Sequence, residues 1–135
     1  MEGMIIREYT KNDATKLLLF MLAEEQWKTR HPLTVNAMHE ADNTIEQTYV
    51  AEKDGAILGY IYGFVLPNKT LIPEFLYVHP DYRKQGVGSS LLNHFEKVTN
   101  CVVSQIFYHN SLHDYYCRQG YEMGGNLEVA VKRLD

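Results

Sequence analysis

The sequence predicts a mixed α/β fold built as a single domain over residues 1–135. Two hairpin-like pairs of apolar segments come first, and a strand–helix–strand unit follows them. This order predicts one mixed sheet that is covered by helices on both faces. The length of 135 residues, with 45% apolar and 22% charged residues, suits one compact domain with a core of its own.

Apolar periodicity and turn residues delimit the predicted elements. They predict a mainly antiparallel sheet of about six to seven strands, flanked by about four helices. The strands are expected at residues 4–8, 47–52, 56–66, 71–78 and 102–108, with a terminal hairpin within residues 121–134. The helices are expected at residues 13–25, after Thr34, at residues 89–98 and at residues 112–119. Thr10 or Asp13 is a candidate cap for the first helix.

Charge and cysteine content exclude several classes of protein. The net charge of −4 argues against nucleic acid as the main partner and mildly favours a cationic one. The longest apolar run, residues 17–23, is too short to cross a membrane and does not follow a signal-peptide start. Cys101 and Cys117 are too few for a disulfide framework. We therefore expect a soluble cytoplasmic protein without nucleic-acid or membrane partners.

The most informative segment is a glycine turn, residues 83–89, which joins the strand at 71–78 to an amphipathic helix. A strand–turn–helix of this kind directs unpaired backbone N–H groups and the positive end of a helix dipole at one point, where an anion can bind. Gly86 and Gly88 allow close approach of a pyrophosphate, and Arg83 and Lys84 supply positive charge.

Two other glycine-rich phosphate motifs do not match this turn. The P-loop requires a lysine after its second glycine, whereas Ser89 follows Gly88 here. The dinucleotide fingerprint requires a third Gly or Ala where Leu91 stands.

The turn resembles the acetyl-CoA signature of the GCN5-related N-acetyltransferase (GNAT) superfamily, Arg/Gln-x-x-Gly-x-Gly/Ala, and residues 76–82 resemble the segment that precedes it. A second segment, residues 115–121, resembles the family's aromatic-Tyr-x-x-x-Gly-Phe/Tyr pattern, in which Gly120 suits the end of a short helix. The two segments have the family's order and separation. The ordinary alternative is a loop whose glycines serve only to turn the chain.

The resemblance implies a sheet with a central splayed parallel pair, here residues 71–79 and 102–108, with the pantetheine arm of acetyl-CoA in the gap. Strand backbone left unpaired at the split can hydrogen-bond the pantetheine amides. The implied cofactor-binding residues belong to the strand, the glycine turn and the second segment: Leu76, Tyr77, Val78, Arg83, Lys84, Gln85, Gly86, Val87, Gly88, Ser89, Asn110 and Tyr116.

Acetyl transfer to an amine requires a deprotonated amine and stabilisation of the departing thiolate. Tyr116 occupies the family's catalytic tyrosine position and is the candidate acid, since a phenol has a pKa of about 10. A core aromatic role for Tyr116 is the alternative. Tyr115 is expected to pack inward, and Tyr108 is a second candidate acid.

Glu74 is the candidate base, because strand alternation places it with Leu76 and Val78 in an apolar layer. A solvated glutamate, with water as the proton relay, remains the alternative, and Pro73 marks a candidate edge or bulge.

One position departs from the family pattern. The family's frequent asparagine, seven residues before the catalytic tyrosine, falls on His109, with Asn110 displaced by one. Either residue is a candidate contact for the cofactor.

His109 and His113 are four residues apart, but no further metal-ligating residues complete a matching pattern, so no metal site is predicted. Cys117 is expected to be a buried structural thiol rather than a nucleophile.

The leading hypothesis is an acetyl-CoA-dependent N-acetyltransferase that moves an acetyl group to a primary amine by direct attack. The acceptor is a small-molecule or peptide amine, and residues 27–43 and 127–134 are expected to shape its entrance. A homodimer is compatible with the resemblance. The alternative is a non-catalytic acyl-CoA-binding or sensing module on the same fold.

Overall fold

The computed structural model describes residues 1–17, 46–126, 128, 130 and 132–134. The predicted helix after Thr34, and the part of the first helix beyond residue 17, lie outside the described residues. Within the described part of the chain, no helix is long and apolar enough to span a membrane.

The described residues form a five-stranded sheet in which the strands are ordered as they occur in the chain. Neighbouring strands are antiparallel except for the last pair, which is parallel. The strands are β1 (Ile5–Glu8), β2 (Glu46–Lys53), β3 (Ala56–Val65), β4 (Thr70–Val78) and β5 (Val103–Ser104). The predicted mixed, mainly antiparallel sheet is therefore confirmed.

Two helices of the described part follow the sequence prediction closely. Helix α1 (Val87–Val98) begins directly after the glycine turn, and α2 (His113–Arg118) follows a short 3-10 turn at Asn110–Leu112. Helix α2 ends before Gly120, whose φ of 93° is left-handed as predicted. A further helix starts at residue 14, after a 3-10 turn at Lys11–Asp13.

The sheet separates two apolar clusters, as the predicted two-sided covering requires. On one face, Leu17 packs with the β3 and β4 aromatics Tyr60, Tyr62, Phe75 and Tyr77. The other face carries α1 and α2; its cluster contains Ile61, Leu71, Val87, Leu91, Leu92, Phe95 and Tyr116. Burial of these apolar side chains on both faces stabilises the sheet between the helices.

A bulge in β4 interrupts the predicted alternation. The register runs from Tyr62–Phe75 to Gly63–Pro73, so Glu74 is the extra residue of β4 at the bulge. One extra residue reverses the side-chain parity of a strand. Accordingly, Leu71 packs with the α1 cluster, whereas Phe75 packs on the opposite face. The prediction that Pro73 marks an edge or bulge is confirmed as a bulge. The reversal falls between Leu71 and Phe75, and beyond it Leu76 and Val78 pack with the α1 cluster.

Strands β4 and β5 pair only at their beginnings and then part. Thr70 pairs with Val103 and Leu71 with Ser104, and the Gln105 amide donates to the Leu71 carbonyl over 2.8 Å. The predicted strand at 102–108 is therefore too long: after residue 105 the chain diverges from β4, so no further ladder forms in the described residues. This divergence is the splayed parallel pair that the sequence led us to expect.

The predicted number of strands, six to seven, is not matched, because the described residues contain five. The predicted terminal hairpin accounts for the difference. Residues 121–126 have no strand conformation, and residues 127, 129, 131 and 135 lie outside the described part. The helices found in the described residues are likewise fewer than the four predicted.

A buried carboxylate holds β1 to the start of the first helix. Asp13 is 5% exposed and accepts two hydrogen bonds of 2.9 Å from the Arg7 guanidinium. It also accepts one of 2.8 Å from the Thr10 amide, as a cap does, and Arg7 pairs with Glu52 on β2 as well. Burial by itself would raise the pKa of Asp13, but the hydrogen bonds from Arg7 and Thr10 outweigh it and leave that pKa lowered.

We expect Asp13→Asn to lower the free energy of unfolding at pH 7 by about 1–2 kcal/mol, because an ionised partner of Arg7 is lost. The pKa of Asp13 is lower in the folded state, so its contribution is fully present above the unfolded pKa of about 3.9 and disappears as the pH falls through the folded value. Urea unfolding from pH 7 to pH 2 measures this. The wild-type and variant stabilities should converge at the acid end; a difference independent of pH would contradict the prediction.

Candidate active site

The parted strands open a cleft of about 1010 Å³ between β4, the glycine turn, residues 106–111 and α2. Beyond Leu71, the β4 edge that faces the cleft has no partner strand in the described residues. Buried backbone groups need hydrogen-bond partners, so this free edge suits a ligand that carries amides. The cleft is thus an elongated site with a strand edge along one wall.

At one end of the cleft, the glycine turn presents unpaired amides. Lys84 and Gly86 both have positive φ, 62° and 85°, so the backbone alternates its direction through the turn. Successive N–H groups in such a turn form a concave anion-binding nest. Hydrogen bonding of α1 begins with the Ser90 amide, which donates to the Gly86 carbonyl over 3.0 Å. The amides of Val87, Gly88 and Ser89 therefore have no acceptor within the helix.

Gly86 leaves the nest open. A Cβ atom added at Gly86 would meet nothing within 4 Å, and its left-handed φ favours glycine. The positive end of the α1 dipole adds to the attraction for an anion. The predicted anion-binding turn is present as a backbone structure.

The Arg83 side chain lines the cleft and also contacts β4. Its Nε donates to the Val78 carbonyl over 2.8 Å, and its guanidinium carbon lies 5.5 Å from the centre of the Tyr77 ring. Arg83 thus braces the end of β4. Two other cationic side chains of the described part line the cleft, Lys84 on the turn and Arg118 on α2.

Tyr116 lies at the wall of the cleft and is 5% exposed. Its ring lies 5.0 Å from the rings of Tyr108 and Tyr115 and 5.8 Å from that of Tyr121. Its hydroxyl makes no hydrogen bond within the described part of the chain. Burial first, and then the nearby Tyr115 phenol, raise the pKa of Tyr116 to about 12. Tyr116 therefore keeps its proton throughout the neutral pH range.

Both neighbouring tyrosines line the cleft, and Tyr115 also packs partly buried against the α1 cluster. Tyr115 was expected to pack inward, yet Tyr116 is the more buried of the pair. Tyr115 is half-buried because its hydroxyl reaches the first turn of α1, 3.2 Å from Ser89 Oγ. Tyr108, the second candidate acid, also lines the cleft, but its hydroxyl is directed at the Met123 sulfur.

Glu74 lies at the β4 bulge and lines the same cleft. Its charge reaches Tyr62, whose pKa is raised to about 12 by burial first, then by Glu46 and Glu74. Tyr62 stacks on Phe75, with ring centres 6.4 Å apart. The bulge thus places a half-buried carboxylate in the cleft lining and near Tyr62.

Two of the predicted cofactor contacts do not line the cleft. Asn110 lies outside it, whereas His109 and Ser111 are part of its lining. The His109 Nδ1 accepts from the Ser111 amide over 3.2 Å and so caps the 3-10 turn. The Gln85 side chain donates to the Asp81 carbonyl over 3.3 Å and also lies outside the lining.

Within the described residues, no three His, Cys, Asp or Glu side chains lie together as a metal site requires. His113 Nδ1 and Cys117 Sγ are 3.8 Å apart on α2, and both side chains are exposed. Cys117 was expected to be buried, but it faces outward because the adjacent Tyr116 takes the inward position on this helix.

Gln119, which the sequence patterns did not single out, joins the end of α2 to α1. Gln119 Nε2 donates to Ser89 Oγ over 3.1 Å, beside the contact between Ser89 and Tyr115. The only signal in the sequence was that Gln119 is polar and follows the tyrosine pair. This did not indicate that its partner is Ser89, 30 residues earlier.

The sequence matches a family model described as an acetyltransferase (GNAT) domain over residues 44–123, which is more than half of the chain. The chain belongs to the GNAT acetyltransferase family. The matched region contains β2 to β5, the glycine turn, both helices and the tyrosine pair. No curated protein matches the sequence.

Solved GNAT-fold structures resemble this chain over almost its whole length. The aminoglycoside 6′-N-acetyltransferase AAC(6′)-Ih from Acinetobacter baumannii superposes with a TM-score of 0.77 at 14% identity, covering 98% of this chain and 100% of that one. Aminoglycoside N-acetyltransferase AAC(6′)-Iy in complex with CoA superposes with a TM-score of 0.77 at 16% identity, covering 97% of this chain and 95% of that one. A transcriptional regulator from Bacillus halodurans superposes with a TM-score of 0.76 at 18% identity, covering 97% of this chain and 99% of that one. These likenesses confirm the fold.

Proposed function

We propose that this GNAT-family protein is an acetyl-CoA-dependent N-acetyltransferase that acts on a primary amine by direct attack. The observation that carries the proposal is the cleft itself, which runs from an open anion nest at the start of α1, along a free strand edge, to Tyr116. A diphosphate, an amide-bearing arm and a thioester suit these three regions in that order.

The residues present fit such a donor. The free amides of Val87, Gly88 and Ser89 would hold the diphosphate, with Lys84 and Arg118 as charge partners. The β4 edge at Leu76, Tyr77 and Val78 would hydrogen-bond the amides of the arm. Acetyl-CoA, when bound, supplies an activated acetyl thioester. The solved AAC(6′)-Iy complex with CoA supports this choice of donor.

Two side chains carry the proton chemistry in this proposal. Glu74 would accept a proton from the amine, directly or through water, because an ammonium has no lone pair with which to attack. Tyr116 would donate a hydrogen bond to the leaving sulfur. Its pKa of about 12 exceeds that of an ordinary thiol, about 8.5, so its role is to stabilise the thiolate without losing its own proton completely.

The acceptor is proposed as a cationic small-molecule or peptide amine. The net charge of −4 favours a cation, and a carboxylate beside aromatic rings at the Glu74 bulge is a suitable surface for an ammonium. Neighbours of the same fold that are aminoglycoside acetyltransferases support amines as the acceptor class.

The test of this function is a thiol-release assay with acetyl-CoA and a panel of polyamines, amino acids, aminoglycosides and peptides. We expect release of CoA thiol with at least one amine, together with calorimetric binding of acetyl-CoA. Binding without release across the panel would favour the non-catalytic acyl-CoA module instead. Absence of any acetyl-CoA binding would overturn both functions.

We expect Glu74→Gln to lower kcat by about 10- to 100-fold without changing the affinity for acetyl-CoA, because the proton acceptor is removed while the donor site is retained. The loss should be largest at low pH, where the free amine is scarce. The matched control is Glu122→Gln, an exposed carboxylate outside the cleft lining. An unchanged kcat in Glu74→Gln would assign the proton transfer to water alone.

A further inference from the structure

The Ser89 hydroxyl lies at the meeting point of the two helices that line the cleft. Ser89 is in the first turn of α1, beside the free amides. Gln119 Nε2, from the end of α2, lies 3.1 Å from Ser89 Oγ, and Tyr115 OH lies 3.2 Å from the same atom. Two polar groups of α2 therefore converge on one serine oxygen at the edge of the nest.

The hydrogen-bonding capacity of these groups determines which of them donates. An amide nitrogen can only donate, so Ser89 Oγ accepts from Gln119. A serine oxygen accepts two hydrogen bonds and donates one, and a phenol can do either. If Tyr115 also donates, both acceptor positions of Ser89 are filled and its own proton is free to point into the nest. An anion in the nest favours this arrangement, because it accepts that proton.

We propose that Tyr115 and Gln119 are positioning residues that direct the Ser89 hydroxyl at the donor's diphosphate and, through the same contacts, hold α2 against α1. This inference rests on the proposed function. Tyr115 precedes Tyr116, and their rings meet edge to face at 5.0 Å. Occupation of the nest would thus fix the place of the catalytic phenol. The arrangement couples the diphosphate site to the reacting end of the cleft.

The test is a double-mutant cycle on Ser89→Ala and Tyr115→Phe, measured as the calorimetric affinity for acetyl-CoA. Each single variant should weaken binding by about fivefold to tenfold, since one charge-assisted hydrogen bond is lost or misdirected. The double variant should be no weaker than Ser89→Ala alone, because Tyr115 acts through Ser89. Additive losses would overturn the inference.

A second measurement separates this role from a merely structural one. We expect Ser89→Ala and Tyr115→Phe to lower kcat/KM with acetyl-CoA by about tenfold, whereas Ser89→Ala should lower kcat/KM by less than about threefold with S-acetylpantetheine, a donor without the diphosphate. Equal losses with both donors would contradict the proposal. If Tyr115→Phe lowers the unfolding temperature, the double-mutant cycle is repeated with Gln119→Met in its place, because Gln119 makes the second hydrogen bond to Ser89.

The matched control is Tyr49→Phe, which removes a tyrosine hydroxyl that bonds Gln47 over 2.9 Å, outside the cleft lining. This variant should leave the affinity for acetyl-CoA and the kcat/KM with both acetyl donors unchanged. Wild-type protein that fails to bind acetyl-CoA would overturn the proposed function and this inference together. Wild-type protein that binds acetyl-CoA but gives an additive cycle would overturn the inference only.

Discussion

Replacement of Tyr116 by phenylalanine should lower kcat by about 100-fold or more and leave the affinity for acetyl-CoA within about twofold. The substitution removes one hydroxyl and keeps the ring that packs against Tyr108, Tyr115 and Tyr121. A donor whose benefit arises only as the thiolate forms affects turnover and not binding. Steady-state kinetics and calorimetry on the same preparation measure the two quantities.

The comparison variant is Tyr108→Phe, which tests the second candidate acid. The Tyr108 hydroxyl contacts the Met123 sulfur, so its loss should lower kcat by less than about threefold. A reversed pattern, with Tyr108→Phe as the inactive variant, would transfer the acid role to Tyr108. The high pKa of Tyr116 also predicts no decline in activity from this group between pH 7 and pH 10, since the phenol stays protonated below about 12.

Replacement of Gly63 by alanine should destabilise the fold by about 3 kcal/mol, because the sheet has no room for a side chain there. The added Cβ would lie 2.3 Å from the Ile72 carbonyl oxygen and 2.9 Å from Pro73 Cα, both on β4. It would also lie 2.9 Å from the Phe95 ring of α1. Backbone atoms cannot move aside as a side-chain end can, so β3 and β4 must separate at the bulge. Urea denaturation measures the loss.

Gly88→Ala is the matched control for stability. A Cβ at Gly88 would make only ordinary contacts, 3.5 Å from the Tyr115 hydroxyl and from Val78 Cγ2. Alanine also has the higher helix propensity, so we expect an unchanged or slightly raised free energy of unfolding. Equal destabilisation by the two substitutions would show that close packing at the bulge is not the cause. A stable Gly63→Ala variant with reduced kcat would instead show that the bulge can shift and carry Glu74 with it.

The elements that local sequence predicts well are those with strong local signals. The glycine turn and the α1 stripe of Leu91, Leu92 and Phe95 each depend on a few adjacent residues. Backbone geometry at these points follows from which residues tolerate positive φ and from apolar spacing. The anion nest could therefore be predicted before any coordinates.

The elements that the sequence predicted less well depend on partners distant in the chain. Strand β5 is shorter than predicted because β4 and β5 diverge after residue 105, and apolar spacing contains no information about that divergence. The bulge at Glu74 was indicated by Pro73, but the reversal of side-chain parity between Leu71 and Phe75 was not. Arg83 lines the cleft, and its contacts with the Val78 carbonyl and the Tyr77 ring were not indicated by the local sequence.

The sequence by itself determined the family, the nest of amides and the tyrosine that faces the cleft, because each depends on residue types at short, fixed spacing. Only the tertiary structure decided how far the strands part, that β4 reverses its side-chain parity at the bulge, and that Ser89 joins the two helices. These features arise when segments tens of residues apart compete for the same space and the same hydrogen-bond partners, and local sequence cannot encode that competition in a readable pattern.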